Sequence, residues 1–182
     1  MKFWKQTAAA ANILAAACSL YAANPEIITI QHKNLFPESI TSTKDGTIII
    51  GSYGTSTIWR MPAGSNKPTQ WIDASQTKGA LLGVLADEKS NRLLVCQAGV
   101  KTFDLKTGAP KESISIPMAN PFCNDLAVRK DGSIFITDTN GAKVFMVPKG
   151  GNAAVEIASD PLLAGADGLA FLSDQNALYV NT

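Results

Sequence analysis

The sequence predicts an all-β chain, a β-propeller of four-stranded blades, and three observations carry that reading. The chain repeats itself at a period of 40-odd residues. Each repeat alternates short apolar strands with polar or glycine turns. No stretch beyond the first two dozen residues holds a helical period. The repeats read ESITSTKDGTIIIGSYGTSTIWRM from Glu38, LGVLADEKSNRLLVCQAGVKTFDL from Leu82, NDLAVRKDGSIFITDTNGAKVFMV from Asn124, and DGLAFLSDQNALYVNT from Asp167. Their starts are 44, 42 and 43 residues apart. A four-stranded unit of this length is a propeller blade, and neighbouring blades must stack because one blade cannot bury both of its faces.

The first residues stand apart from this pattern. Lys2 and Lys5 precede the apolar run TAAAANILAAACSLYAA, and no further charge follows until Glu26. A short positive head, an apolar middle and small residues at the end predict a secretory signal peptide over residues 1–22, with the propeller domain over 23–182. An N-terminal membrane anchor is the alternative, but the run is short for a span of about 20 residues. The AAACS stretch around Cys18 weakly resembles a lipoprotein cleavage box. Export to the periplasm or beyond the cell is the expected localisation. Cleavage would remove Cys18 and leave Cys96 and Cys123. An exported pair of cysteines can form a bridge or remain two half-buried thiols, and the sequence leaves both open.

After the leader, EIITIQ (Glu26 to Gln31) reads as an outer strand that would complete the last blade of a ring. Within the units, Asp45-Gly46 and Asp131-Gly132 separate two apolar runs, where a tight hairpin needs positive φ. Asn91 and Gln175-Asn176 hold the same place in the other two units. Gly54, Gly99 and Gly141 mark the second turn. Fourth strands are expected around PTQWID, KESISIP and AAVEIAS. The fourth unit reaches only its second strand at Thr182. The sequence therefore covers about three and a half blades, which do not close a ring, as a truncated form of a longer chain would; a six-bladed propeller at this period would need about two and a half more. A short protein that closes by dimerising is the alternative. The last strand presents an edge through which copies could self-associate.

Composition narrows the function. The chain has 182 residues, 46% hydrophobic and 17% charged, with 14 Gly and 9 Pro, which suits an ordered, turn-rich domain. Formal net charge is +1, without a basic run, so nucleic acid is not an expected partner. No transmembrane segment is expected after removal of the leader. No nucleophile elbow, P-loop, dinucleotide fingerprint or paired-His metal motif occurs. His32 is the one histidine and lies outside the repeat register, as a surface residue would. Trp59 and Trp71 fall in blade strands and read as packing.

The residues at the blade entrances carry the chemistry. In a propeller the first strand of each blade lines the central channel, and the residues before it gather at one mouth. The four entrances hold Glu38, Gly83, Asn124 with Asp125, and Asp167. Oxygen-bearing side chains on one axis suit a hard divalent cation such as Ca²⁺ or Mg²⁺. Each residue alone could equally be a turn former or a solvated side chain.

FPESIT, FCNDLAV followed by DGSIFITDT, and ADGLAF followed by LYV resemble the senescence marker protein/gluconolactonase/luciferin-regenerating family of six-bladed propellers. The resemblance runs from about Leu35 to the end. It implies one divalent ion in the channel, Ca²⁺ first and Mg²⁺ or Zn²⁺ as alternatives, held by Glu38, Asn124 and Asp167. It places Asn124 and Asp125 next to the substrate, a small molecule such as a lactone, and implies hydrolysis of a lactone or small ester. Asp167 stands where the family has an Asn ligand. The family's general-base Asp would lie beyond Thr182, and its Arg before the third-blade Asn is replaced here by Phe122 and Cys123. Two other readings stand beside the hydrolase: a non-enzymatic periplasmic or surface binding propeller of the NHL type, and an inactive fragment.

Overall fold

In the computed structural model, which describes residues 27–182, the chain is all-β and its strands form successive antiparallel sheets. The first sheet holds β1 (Pro37–Ser42), β2 (Ile48–Ser52), β3 (Ile58–Met61) and β4 (Thr69–Ile72), in that order. The second holds β5 (Val84–Asp87), β6 (Arg92–Cys96) and β7 (Val100–Asp104). The third holds β8 (Cys123–Val128), β9 (Ile134–Asp138), β10 (Lys143–Val147) and β11 (Val155–Ser159). The hairpin of β12 (Leu169–Phe171) and β13 (Leu178–Val180) begins the fourth unit. These are the blades read from the repeat. The leader, Trp4 and Cys18 lie outside the described residues.

The hairpin turns form as their residue types dictate. Gly46 and Gly132 take φ of 90° and 95°, which a side chain would oppose. In both turns the Asp caps the backbone two residues on: Asp45 Oδ1 accepts from Thr47 N, and Asp131 Oδ1 from Ser133 N, each at 2.9 Å. Asn91 and Gln175 supply the left-handed residue in the other two units, at φ 50° and 60°.

Two expectations about the elements are corrected, and one short element is added to them. The segment 27–31 forms no strand, and Glu26 lies outside the described residues. KESISIP does not become a full fourth strand of the second blade. Ile114 bridges Val100 and Pro110 bridges Phe103, but the ladder between them is broken. Pro110 has no N–H to give, and the Thr102 hydroxyl takes the Glu112 carbonyl instead. Finally, one helical turn, α1 (Ala74–Thr77), leads toward the second blade. Asp73 caps it by accepting from Ser75 N at 2.8 Å, and Lys78 ends it in the left-handed region.

The core lies between blades. Along β6 every residue from Leu93 to Cys96 is fully buried. Side chains alternate across a strand, so Leu93 and Val95 pack with Ile49, Ile58 and Phe103, while Leu94 and Cys96 pack with Leu126, Ile136 and Phe145. Buried on both faces, the strand reads as the unbroken apolar run LLVC. By contrast Ile40 on β1 is 66% exposed and all of β11 is exposed, on surfaces that no further blade covers among the described residues.

Two contacts lock the second blade to the third. Cys96 and Cys123 are disulfide-bonded, both fully buried, with Cα atoms 5.0 Å apart. This settles the choice between bridge and thiols. Gly83, before β5, lies directly against the chain of the third blade. A Cβ placed there would meet Asn124 O and Asp125 Oδ1 at 2.7 Å and Asp125 Cα at 2.8 Å.

Two outcomes follow for stability. The bridge closes a 27-residue separation, for which loop entropy gives about 3.5 kcal/mol. The Cys96→Ala/Cys123→Ala double variant should lose stability on that scale in urea unfolding, and reductant should destabilise the parent chain but not the variant. Gly83→Ala should cost about 1–3 kcal/mol, because backbone rather than a movable side chain blocks the methyl; an unchanged urea midpoint would refute the close packing.

Candidate functional site at the channel mouth

The first strands of successive blades are neighbours around one axis, and each junction is tied by hydrogen bonds of its own. Ser39 Oγ accepts from Val84 N at 3.0 Å, and Thr41 Oγ1 from Ala86 N at 3.2 Å, joining β1 to β5. Gly83 N donates to Asn124 O at 2.6 Å, joining β5 to β8. Asp125 Oδ2 accepts from Leu169 N at 3.2 Å, joining β8 to β12. Two hydroxyls from the third blade fasten the last entrance: Thr137 donates to Asp167 O at 2.5 Å, and Thr139 to Ala166 O at 2.6 Å.

This chain of ties brings the predicted residues together. Glu38, Ser39, Gly83, Asn124, Asp125 and Asp167 line one cavity of about 200 Å³. All four side chains read from the blade entrances are present, and no Lys, Arg or His lines the cavity. The second entrance contributes a glycine because the third blade's backbone occupies the space where a side chain would stand.

The negative charges in the cavity act on one another. Partial burial raises the Glu38 carboxyl above its ordinary value of 4.5, and the charges of Asp167 and Asp125 raise it further. Burial also raises Asp125; hydrogen bonds from Leu126 N and Leu169 N oppose that rise, and Asp167 adds to it. Asn124 differs from its acidic neighbours. Its amide nitrogen donates to Thr139 Oγ1 at 2.8 Å, while its amide oxygen makes no hydrogen bond among the described residues.

The donor set is therefore all oxygen, carboxylate and amide, with no positive side chain to balance it. That chemistry fits a hard cation. Among the described residues, no three His, Cys, Asp or Glu side chains stand close enough together to hold a metal ion by themselves. Asp125 is partly committed elsewhere, since one of its oxygens already holds β12 in place.

Ser39, Thr137 and Thr139 were not singled out from the sequence. The available signal was a hydroxyl interrupting an otherwise apolar or β-branched strand, as in FITDT. Asp138, between the two threonines, is fully buried and accepts from Phe122 N at 2.6 Å and Gly141 N at 2.7 Å. It thereby fixes the loop that leads into Cys123 and Asn124. His32 is exposed and rests edge-on against Trp59, with ring centroids 5.6 Å apart. Trp71 lies under the Arg60 guanidinium at 4.9 Å. Neither tryptophan lines the mouth cavity.

No protein-family profile matches the chain, and no curated protein matches it. Solved structures match it as folds. One is a streptogramin B lyase, at 16% identity and a TM-score of 0.70, covering 83% of this chain and 49% of that one. Another is a gluconolactonase from Xanthomonas campestris, at 14% identity and a TM-score of 0.68, covering 86% and 57%. A chain of the nidogen/laminin complex matches at 14% identity and a TM-score of 0.69, covering 81% and 57%. The chain thus spans about half the length of the structures it matches. What it shares with them is the β-propeller fold.

Proposed function

We propose that the channel mouth binds one divalent cation, Ca²⁺ in the first instance, through Glu38, Asn124 and Asp167, with Asp125 beside them. In the whole protein this ion would serve the hydrolysis of a lactone or small ester. One observation carries the reading: the oxygen side chains of three separate blade entrances line a single small cavity that holds no positive charge. Burial lifts the Glu38 carboxyl and repulsion from Asp167 and Asp125 lifts it further, a state that a bound cation would relieve. The resemblance of the entrance motifs to the gluconolactonase family supports the choice of reaction, as does the presence of a gluconolactonase among the fold neighbours.

When bound, such an ion supplies Lewis acidity, polarising a carbonyl or lowering the pKa of a bound water. The chain's own part is positioning. Thr139 holds the Asn124 amide nitrogen and leaves the amide oxygen for the ion or the substrate. Gly83 keeps the second entrance free of any side chain that would crowd the cavity.

Calorimetric titration of chelator-treated protein with CaCl₂ tests the ion, and a lactone panel with and without the ion tests the reaction. Binding should be one to one and should raise the melting temperature. Ion-dependent turnover supports the hydrolase. Ion binding without turnover by the whole protein would favour a binding module, and no binding of Ca²⁺, Mg²⁺ or Zn²⁺ would end the proposal.

The Glu38→Gln variant has opposite expected effects on binding and on ion-free stability. It should abolish or sharply weaken ion binding. In ion-free protein near neutral pH it should raise the melting temperature, because it removes a carboxylate whose ionised form the fold disfavours. The sign follows from the raised folded value: the penalty is full above it and vanishes below the unfolded value near 4.5. The advantage of Glu38→Gln should therefore shrink as pH falls through that range, and ion affinity of the parent chain should fall with it. Melting curves from pH 3 to 8 in chelator would show this; a variant that melts lower at pH 7 would contradict it.

A further inference from the structure

A second cavity of about 380 Å³ lies beside the channel mouth and shares none of its residues with the proposed ion site. Its walls are the segments that lead into β5 and β8 and the turn between β6 and β7. All three stand at the same end of the blades as the entrances, since Val84 pairs with Val95 and Cys123 N donates to Gln97 O at 3.0 Å. The Cys96–Cys123 bridge joins two of these walls, with Gln97 and Phe122 as the flanking residues.

The lining is apolar in depth and positive at one side. Leu82, Val100 and Ile114 are buried and Phe122 is half-buried. Lys78 and Lys101 are its charged residues, and no carboxylate lines it. Neither lysine takes part in an ion pair among the described residues. Lys101 Nζ donates to Gln76 O at 2.9 Å and to Thr77 O, which leaves one of its three protons unassigned. Burial lowers the pKa of Lys101 and the Lys78 charge lowers it further, as expected of a cation with no counter-charge nearby. A cavity of this size, apolar with a few polar groups converging on it, has the character of a small-molecule site.

We propose that this cavity binds a small organic carboxylate with an apolar body, its charge set against Lys78 and Lys101 and its hydrocarbon part against Leu82, Ile114 and Phe122. The apolar walls supply area and the two ammonium groups select for the anion. A neutral ligand of the same shape keeps the first and loses the second.

The test is calorimetric titration of the full chain, in EDTA, with 4-phenylbutyrate and with its uncharged amide. The acid should bind roughly tenfold or more tightly than the amide, the scale of one charge-assisted contact. Lys78→Gln and Lys101→Gln should each remove most of that preference and leave the amide unchanged. Lys101 also caps the end of α1, so circular dichroism melts must accompany its variant; exposed Lys78 gives an independent reading. Equal binding of acid and amide, or binding of neither, would overturn the proposal. So would acid binding that requires added Ca²⁺, which would place the carboxylate on the ion at the channel mouth.

Discussion

Burial of β6 on both faces is the constraint from which the described fold follows. An isolated blade would leave Leu93 and Val95 on one side, or Leu94 and Cys96 on the other, in water. Burying each such side chain is worth about 1.5–3 kcal/mol, so the second blade is stable only between the first and the third. The same requirement fixes register. A slip of one residue along β6 would exchange the two sets of side chains and mismatch both interfaces at once. Where a sheet has no neighbour on one side, the pattern changes: Ile40 and the residues of β11 lie exposed.

Stacking also builds the mouth. Once the apolar interfaces set the blades side by side, the first strands meet along one axis and short polar ties fix their offsets. Each junction uses a different device: serine and threonine hydroxyls between the first and second blades, a backbone bond at a glycine between the second and third, and a carboxylate with two threonines between the third and fourth. The site is thus assembled from separate supersecondary units. Its cost is visible in Glu38 and Asp125, whose carboxyls are raised chiefly because the packing that places them buries them, and further because it brings like charges together. Of the three acids at that cavity, Asp125 has a packing role of its own, since one of its oxygens ties the third blade to the fourth.

The sequence made the period, the hairpin turns and the entrance residues legible, because each is written in residue type at fixed spacing. An Asp-Gly between apolar runs specifies a turn whatever surrounds it. Features that depend on tertiary contacts were hidden. A proline stands at the head of both KESISIP, which only bridges β7, and PTQWID, which includes a strand; the hydroxyl of Thr102, which reaches the Glu112 carbonyl, is supplied only by the fold. The run 27–31 has strand composition but no pairing partner among the described residues. Gly83 is legible as the residue of the second entrance, but its close contact with Asn124 and Asp125 comes from the stacking of the blades. The threonines flanking Asp138 matter through the carbonyls they reach, at Asp167 and Ala166, nearly 30 residues away in sequence.

The cysteine before Asn124 gains a reason from the same geometry. Cys123 opens the strand whose next two residues line the channel mouth, and Cys96 ends the strand whose next residue lines the lateral cavity. One buried cross-link therefore holds the third entrance, the β6–β7 turn and the loop carrying Phe122 in fixed relation. Apolar packing alone could hold the two strands together, but it tolerates small shifts and repacking. A covalent tie at the junction of two cavities restricts relative movement of the walls of both. The bridge lies close to the point where the second blade's Gly83 meets the backbone of Asn124 and the carboxylate of Asp125, so covalent and close-packed contacts fix the same junction.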